Sequence, residues 1–535
     1  MLNNRKLFRL IIPSFPNFNI YSRIAIKTTA YGPVCVGTMA NQLKNWDVEI
    51  IDENNCQSKF CPKTKQGLVD HKKLQQLRPA DVVGFYGSLT STVPRIFELA
   101  KLYKDHDILT ITGGKHVENL PEESLDNNID IVVVGDGEKA IQEVLVNFEN
   151  EKSFHDIEGL VFKENKQVYK TPARELMHNF EDLPLPEFHL IRYANIKIFP
   201  ISRIRGCNMC CEFCAVKDKA RYATPVRMMK QIAHLVENYG ARNFFESSDH
   251  FAPDKDDAIE FCRLLEAYQK ANKVKIKMTV QIRLNDAQHD DLLLAMKRAG
   301  IHNVCIGYES PIDEELIAMK KGYLSKDMQA WTKKYHSYGF FIHGMFIFGY
   351  PYKKESDESR VTNEISIEEK VKRFKKFIFK SRIDTVQLLL TIPLPGTELR
   401  KRLEAENRVY DIGWEYYDGQ FPLFKPDFGV EPEAMQQAVT KIMRRFYGVQ
   451  NLAYIIINIV INFPIMLIPS AFSLFSMRAR YLIHVFKKWY RFLFRNQSIR
   501  FGGHFIVKGW FKNFKKGKFT SILNNAKNKL LSNLN

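Results

Sequence analysis

Four of the chain's nine cysteines fall within eight residues, at 207, 210, 211 and 214, in the run RGCNMCCEFC that follows the strand-like ISRI. Cys207, Cys211 and Cys214, spaced by three and then two residues, suit three irons of a [4Fe-4S] cubane. The fourth iron is left open to an external ligand, which a substrate-activating cluster needs and an electron-transfer cluster lacks. The rival reading is a zinc knuckle made of all four thiols. Zinc sites usually place a dozen or more residues between their cysteine pairs, whereas Cys210 and Cys211 are adjacent. The other cysteines, 35, 56, 61, 262 and 305, are scattered. That spacing is unlike a disulfide framework and is expected of free thiols in a reducing compartment. With none after Cys305, no cysteine-rich second cluster domain is expected at the C-terminal end.

A second set of candidate contacts lies nearer the start. Ser88 to Thr90, Gly113 with Gly114, and Gly135 to Glu138 each follow a short apolar run: DVVGFYG, ILTITGG and IDIVVVGDGE. With FRLIIP and VEIID, these runs alternate with helical stretches. The pattern predicts a doubly wound parallel sheet over residues 1–150, which binds ligands beyond the carboxyl ends of its strands. Glycines 113, 114, 135 and 137 would let a ligand approach the backbone.

Residues 151–197 read as a linker, with a hairpin (GLVF, then KQVYKT) before the proline-rich EDLPLPEFHL. Over residues 198–420 six further strand–helix units follow: ISRIRG, ARNFFES, VKIKMTVQI, HNVCIGYES, FFIHGMFIFG and TVQLLLTIP. They predict an α/β partial (βα)6 barrel with its site at the strand C-termini. Residues 421–535 are expected to be helical.

Net charge is +18, and residues 478–535 hold fourteen Lys/Arg and no Asp or Glu. Charge concentrated in a tail beside apolar sequence argues against a nucleic-acid groove through the body and for a membrane surface. Residues 446–477 carry no charged side chain. Within them residues 452–475 are long enough to span a bilayer, but Pro464, Pro469 and two asparagines favour a re-entrant or interfacial segment, the alternative being a buried hairpin. The first residues lack the long apolar run and small-residue cleavage site of a signal peptide. The expected location is cytoplasmic, at the membrane surface.

The C-x3-C-x2-C motif with aromatic Phe213 before its last cysteine resembles the radical S-adenosylmethionine superfamily. The resemblance implies a [4Fe-4S] cluster that reduces S-adenosylmethionine to a 5′-deoxyadenosyl radical, with an external low-potential electron donor. NVCIGYES resembles the strand whose acidic residue approaches the adenosyl ribose, here Glu309, with Gly307 two residues earlier. FFESSDHF stands where the family has GGE, which makes Glu246, Ser247 and Asp249 the candidate contacts there. Arg283 is a further candidate. An acidic residue after a strand can also be a helix cap, and a buried arginine can serve only to pair a carboxylate.

The N-terminal part, with GGKHVENLPEESL, VVVGDGE, DLPLPEF and PLPGT, resembles the branch that carries a cobalamin (B12)-binding domain. That likeness covers roughly residues 5–420. It implies a Rossmann-like cobalamin domain, cobalamin as third cofactor, and contacts from Ser88, Thr90, Gly113, Gly114, Gly135, Gly137 and Glu138. The D-x-H-x-x-G motif that supplies a histidine to cobalt in other cobalamin domains, and is often lacking in this branch, is replaced by PSFPNFN, and no histidine precedes His71. Cobalamin is therefore expected without a protein histidine on cobalt. The implied chemistry is methyl transfer to an unactivated carbon of a lipid or other apolar substrate. Cobalamin-independent radical cyclisation, coupling or rearrangement is the rival within catalysis, and a membrane-tethered cobalamin or redox sensor is the rival outside it.

Overall fold

The computed structural model describes residues 5–19, 21–352, 365–447, 503, 507 and 511–534. Two compact units emerge. One comprises Met1–Val304, Tyr338–Phe340 and Ile392–Asp418; the other comprises Cys305–Ser337, Phe341–Thr391 and Gly419–Asn535. The division does not follow the order of domains along the chain, because it cuts through one strand.

The first unit opens with β1 (Lys6–Ile12), β2 (Trp46–Asp52), β3 (Val82–Tyr86), β4 (Leu109–Gly113) and β5 (Ile131–Val133). The apolar runs read from the sequence all become strands, and β2, β1, β3, β4 and β5 pair side by side in parallel. β1 is buried at every position but its first, as a parallel strand covered on both faces must be. Arg9 on that strand is fully buried, so its guanidinium needs partners. Glu49 supplies a carboxylate oxygen 2.7 Å from Nε, and the Gln75 amide oxygen accepts at 2.9 Å.

Residues 151–197, expected to be a linker, extend this sheet instead. β6 (Leu160–Glu164) and β7 (Gln167–Lys170) continue it antiparallel beyond β5, and β8 (Ile191–Arg192) adds to β2 in parallel. The hairpin covers what would otherwise be an open edge. Cys56 and Cys61 form a disulfide, which corrects the expectation of free thiols at those positions. The loop after β2 folds back and brings their Cα atoms to 6.6 Å, a proximity that spacing alone does not reveal.

Six strands form the second large sheet: β9 (Phe199–Ile201), β12 (Asn243–Glu246), β13 (Lys277–Ile282), β14 (Ile301–Glu309), β15 (Phe341–Phe348) and β16 (Thr385–Leu390), in that spatial order. The intervening β10 (Ile204–Arg205) and β11 (Arg221–Tyr222) make a separate ribbon. β14 begins in the first unit and ends in the second. β15 and β16 alternate buried and half-buried residues, as strands do when one face is packed and the other borders an open interior. Helices separate these strands. The Pro225–Tyr239 helix starts under a Thr224 cap that accepts from Arg227 N, and it stops at Gly240 with φ +63°.

In the second unit the Pro432–Tyr447 helix ends with the buried Tyr447 hydroxyl, 2.8 Å from Val386 N. The apolar run 446–477 lies outside the described residues beyond Tyr447, as does most of the basic tail before residue 511. Among the described residues no helix is long and apolar enough to cross a membrane.

Candidate active site

Across the β10–β11 ribbon Ile204 faces Tyr222 and Arg205 faces Arg221, so residues 206–220 leave and return at one place. Gly206 opens this loop at φ +85°, and a Cβ there would lie 2.7 Å from the Asp218 carbonyl oxygen. Only glycine fits so close a backbone approach. Cys207 N donates to that same oxygen at 2.9 Å, and Cys214 N donates to Cys211 O at 3.2 Å. Cys207, Cys211 and Cys214 are in no disulfide and are half-buried or buried, and Phe213 is half-buried, while Cys210 is exposed.

Burial raises the Cys207 and Cys214 thiols above their ordinary range. Ligation to iron would release those protons. Among the described residues no three His, Cys, Asp or Glu side chains close on a single ion. A cubane, unlike zinc, spreads its thiolates over three irons.

The loop is anchored from several sides. Arg402 Nε and Nη2 each lie 3.1 Å from the Glu212 carboxylate, and Leu399 N donates to Glu212 O at 3.2 Å. The helix Glu398–Ala405, which follows the PLPGT run, therefore grips the middle of the thiol loop. Sequence pattern alone does not single out Glu212 or Arg402; the one signal is an acidic residue inside a cysteine motif.

A cavity of about 550 Å³ lies in the same compact unit. Ser88, Gly113, Gly114, Gly135, Gly137 and Glu138 line one side of it; Pro200, Ser202, Phe245 and Ser247, from the ends of β9 and β12, line another. Gly114 sits at φ +130°, and a Cβ there would come within 2.6 Å of Ser88 N. The cradle is thus shaped by missing side chains, which suits a broad ligand such as a corrin resting on backbone. Thr90 is not part of this lining: it is buried, with its Oγ1 3.2 Å from His116 Nδ1. Tyr31 and Tyr86, not anticipated, also line the cavity.

The other expected contacts divide. Glu246 is fully buried and accepts from Arg203 N at 3.0 Å and from the Ser248 hydroxyl; burial raises its pKa. Ser247 Oγ donates to Ile201 O at 3.0 Å. Asp249, pushed by burial to about 6, lies near enough to Cys207 and Cys214 to bear on both thiols. Arg283 also bears on Cys207, and its Nε donates to Asn285 Oδ1 at 3.1 Å.

In the second unit Glu309 ends β14 at φ +59°, a left-handed conformation uncommon for a residue with a side chain. Its carboxylate lies 2.7 Å from Lys321 Nζ. A Cβ on Gly307 would collide with that carboxylate and approach Lys321 Nζ at 3.2 Å, and the Tyr323 hydroxyl donates to Gly307 O at 2.8 Å. Gly307 is thereby explained by Glu309.

Residues 201–365 match the radical SAM superfamily model and residues 28–145 match the B12 binding domain model. The chain therefore carries a B12-binding domain and, after it, a radical SAM domain. It is a radical SAM enzyme with a cobalamin-binding domain, and its cofactors are a [4Fe-4S] cluster, S-adenosylmethionine and cobalamin. An uncharacterized methyltransferase of Pyrococcus horikoshii is 27% identical over 380 residues, which span 69% of this chain and 78% of that protein. The hopanoid C-2 methylase of Rhodopseudomonas palustris is 22% identical over 58% of this chain and 55% of its own length. Among solved structures, the radical SAM methyltransferase TsrM of Kitasatospora setae, with cobalamin and a [4Fe-4S] cluster bound, aligns at a TM-score of 0.57. It is 15% identical and covers 75% of this chain and 78% of its own. That likeness establishes the fold shared by this radical SAM enzyme.

Proposed function

We propose that this radical SAM enzyme transfers a methyl group from S-adenosylmethionine to an unactivated carbon of a lipid or other apolar substrate, using cobalamin. The observation that carries the reading is the single cavity lined both by the glycine loops of β3–β5 and by the strand ends of β9 and β12, in the unit that also holds the three-thiol loop. When bound, the cluster supplies a one-electron reduction of S-adenosylmethionine and cobalamin supplies a methyl carrier.

The residues of this chain do the rest. Cys207, Cys211 and Cys214 would hold three irons and leave the fourth to S-adenosylmethionine. Ser247, Asp249 and Arg283 stand near the thiol loop and its cavity as candidate contacts to the cofactor, and Glu309, oriented by Lys321, is the candidate for the adenosyl ribose. Glu246 holds Arg203 N and Ser248 through Oε1, which leaves its buried Oε2 as the atom that could meet the cofactor. Gly113, Gly114, Gly135 and Gly137 would cradle the corrin, and Phe245 and Pro200 give the cavity an apolar wall.

An apolar substrate is supported by the likeness to the hopanoid methylase and by the uncharged run 446–477 beside the basic tail, which suits a membrane surface. The test is anaerobic turnover of reconstituted full-length enzyme with methyl-labelled S-adenosylmethionine and an extracted lipid fraction. Methyl transfer yields label in the apolar product, with S-adenosylhomocysteine and 5′-deoxyadenosine formed together. 5′-Deoxyadenosine without S-adenosylhomocysteine would replace this reading with a cobalamin-independent radical reaction.

A further inference from the structure

The β5 loop that shapes the corrin cradle also grips the base of the thiol loop. Asp136, between cradle glycines 135 and 137, receives Arg221 Nη1 at 2.6 Å and Arg205 Nη1 at 3.0 Å; Glu138 pairs with Arg205 Nη2. Arg205 and Arg221 are the facing residues of the ribbon that closes the loop, and Cys207 is two residues beyond Arg205. Met177 N donates to Asp136 Oδ2 at 2.9 Å, and both guanidiniums stack near the Phe180 ring, at 5.0 Å and 5.9 Å. Burial alone would raise the Asp136 carboxyl, but its two arginines hold it below the usual range.

The β4 loop makes a second tie. Lys115, next to cradle residue Gly114, reaches Asp218 at 3.3 Å, and the Asp218 carbonyl receives Cys207 N. Asp136, Glu138 and Arg205 themselves line the cavity.

We infer that Asp136 is a positioning residue that couples the two cofactor sites, so that corrin in the cradle and cluster on the thiols each strengthen the other's binding. This rests on the reading that both cofactors occupy these places. A loop whose two ends are clamped by one carboxylate cannot shift without moving Gly135 and Gly137. Any ligand that fixes the cradle therefore biases the loop, and by linkage the reverse holds by the same factor.

The test measures hydroxocobalamin affinity of the full chain with its cluster reconstituted and after iron chelation. In the unaltered enzyme the cluster should tighten corrin binding about fivefold or more, the lower end of ordinary site coupling. Asp136→Asn should bring the ratio near one, and Asp136→Glu should restore part of it. Because Asp136 also lines the cavity, its loss can weaken both affinities; a purely structural or direct contact moves them together and leaves the ratio unchanged. If Asp136→Asn does not fold, Lys115→Met and Arg221→Lys should each lower the ratio. A ratio of one in the unaltered enzyme, or a ratio untouched by these changes, overturns the coupling while leaving the cofactor assignment standing. Failure to retain corrin in either state overturns the assignment and the coupling together.

Discussion

The cradle and the thiol loop present ligands in opposite ways. The cradle works by omission: Gly113, Gly114, Gly135 and Gly137 offer backbone, and at Gly114 even one carbon atom would strike Ser88. The thiol loop works by addition, with three sulfurs on a segment fixed at its base by Arg205 and Arg221 and in its middle by Glu212. A broad, preformed ligand needs surface and clearance, whereas a cluster assembled in place needs bonds in a set register. A glycine cradle should therefore fail through added bulk, and the thiol loop through lost atoms.

The largest break is expected on the loop. Cys207→Ala, Cys211→Ala or Cys214→Ala should each abolish the cluster, while Cys210→Ala, at the exposed position, should keep it. Iron and sulfide analysis after anaerobic reconstitution decides this, and an intact cubane without Cys211 would mean another register.

A second change acts on the cradle's own domain and not on the thiols. Glu53 is buried, which alone would raise its carboxyl, but His71 and Arg95 hold it down to about 2. Against an ordinary value of 4.5, the group contributes on the order of 3 kcal/mol to stability above pH 4.5, and this is lost as pH falls toward 2. Urea unfolding of cluster-free protein across that window should show a slope that Glu53→Gln makes shallower.

Added bulk should come next. Gly114→Val must adopt a strained φ and meet Ser88, at a cost of about 1–3 kcal/mol, so hydroxocobalamin affinity should fall roughly tenfold to a hundredfold. The iron content should not change. An equal loss of both cofactors would erase the contrast between the regions.

The smallest effect is expected at Glu309. Lys321→Met leaves the carboxylate without its ion pair, and S-adenosylmethionine should bind about tenfold more weakly, since a charge-assisted hydrogen bond contributes about 1.5–3 kcal/mol. Lys321→Arg should recover most of the affinity. Equilibrium binding of S-adenosylmethionine to cluster-loaded protein reads both variants.

The strands were legible because their apolar runs are short and end in turn residues; β1 to β5 and five of the six strands of the second sheet stand where those runs stand, whereas ISRIRG meets β9 only at Ile201 and otherwise runs into the β10–β11 ribbon. That the three thiols share one loop and the four glycines one cavity was legible because each set follows strand ends that can be read locally. What stayed hidden depends on distant pairing. Glu212 meets Arg402 across nearly two hundred residues, Asp136 meets Arg221 across eighty-five, and Cys56 meets Cys61 only because the loop after β2 turns back. Thr90 shared the loop position of Ser88 but turns inward toward His116, a direction that spacing does not set.

The central claim is that one chain holds a radical-generating cluster and a corrin together. Its most direct test is reconstitution of the full-length protein with iron, sulfide and hydroxocobalamin, gel filtration, and anaerobic reduction with S-adenosylmethionine. The account predicts corrin and cluster in the same peak, with 5′-deoxyadenosine formed only when Cys207, Cys211 and Cys214 are all present. A corrin-free peak, or no 5′-deoxyadenosine from a cluster-loaded protein, would contradict it.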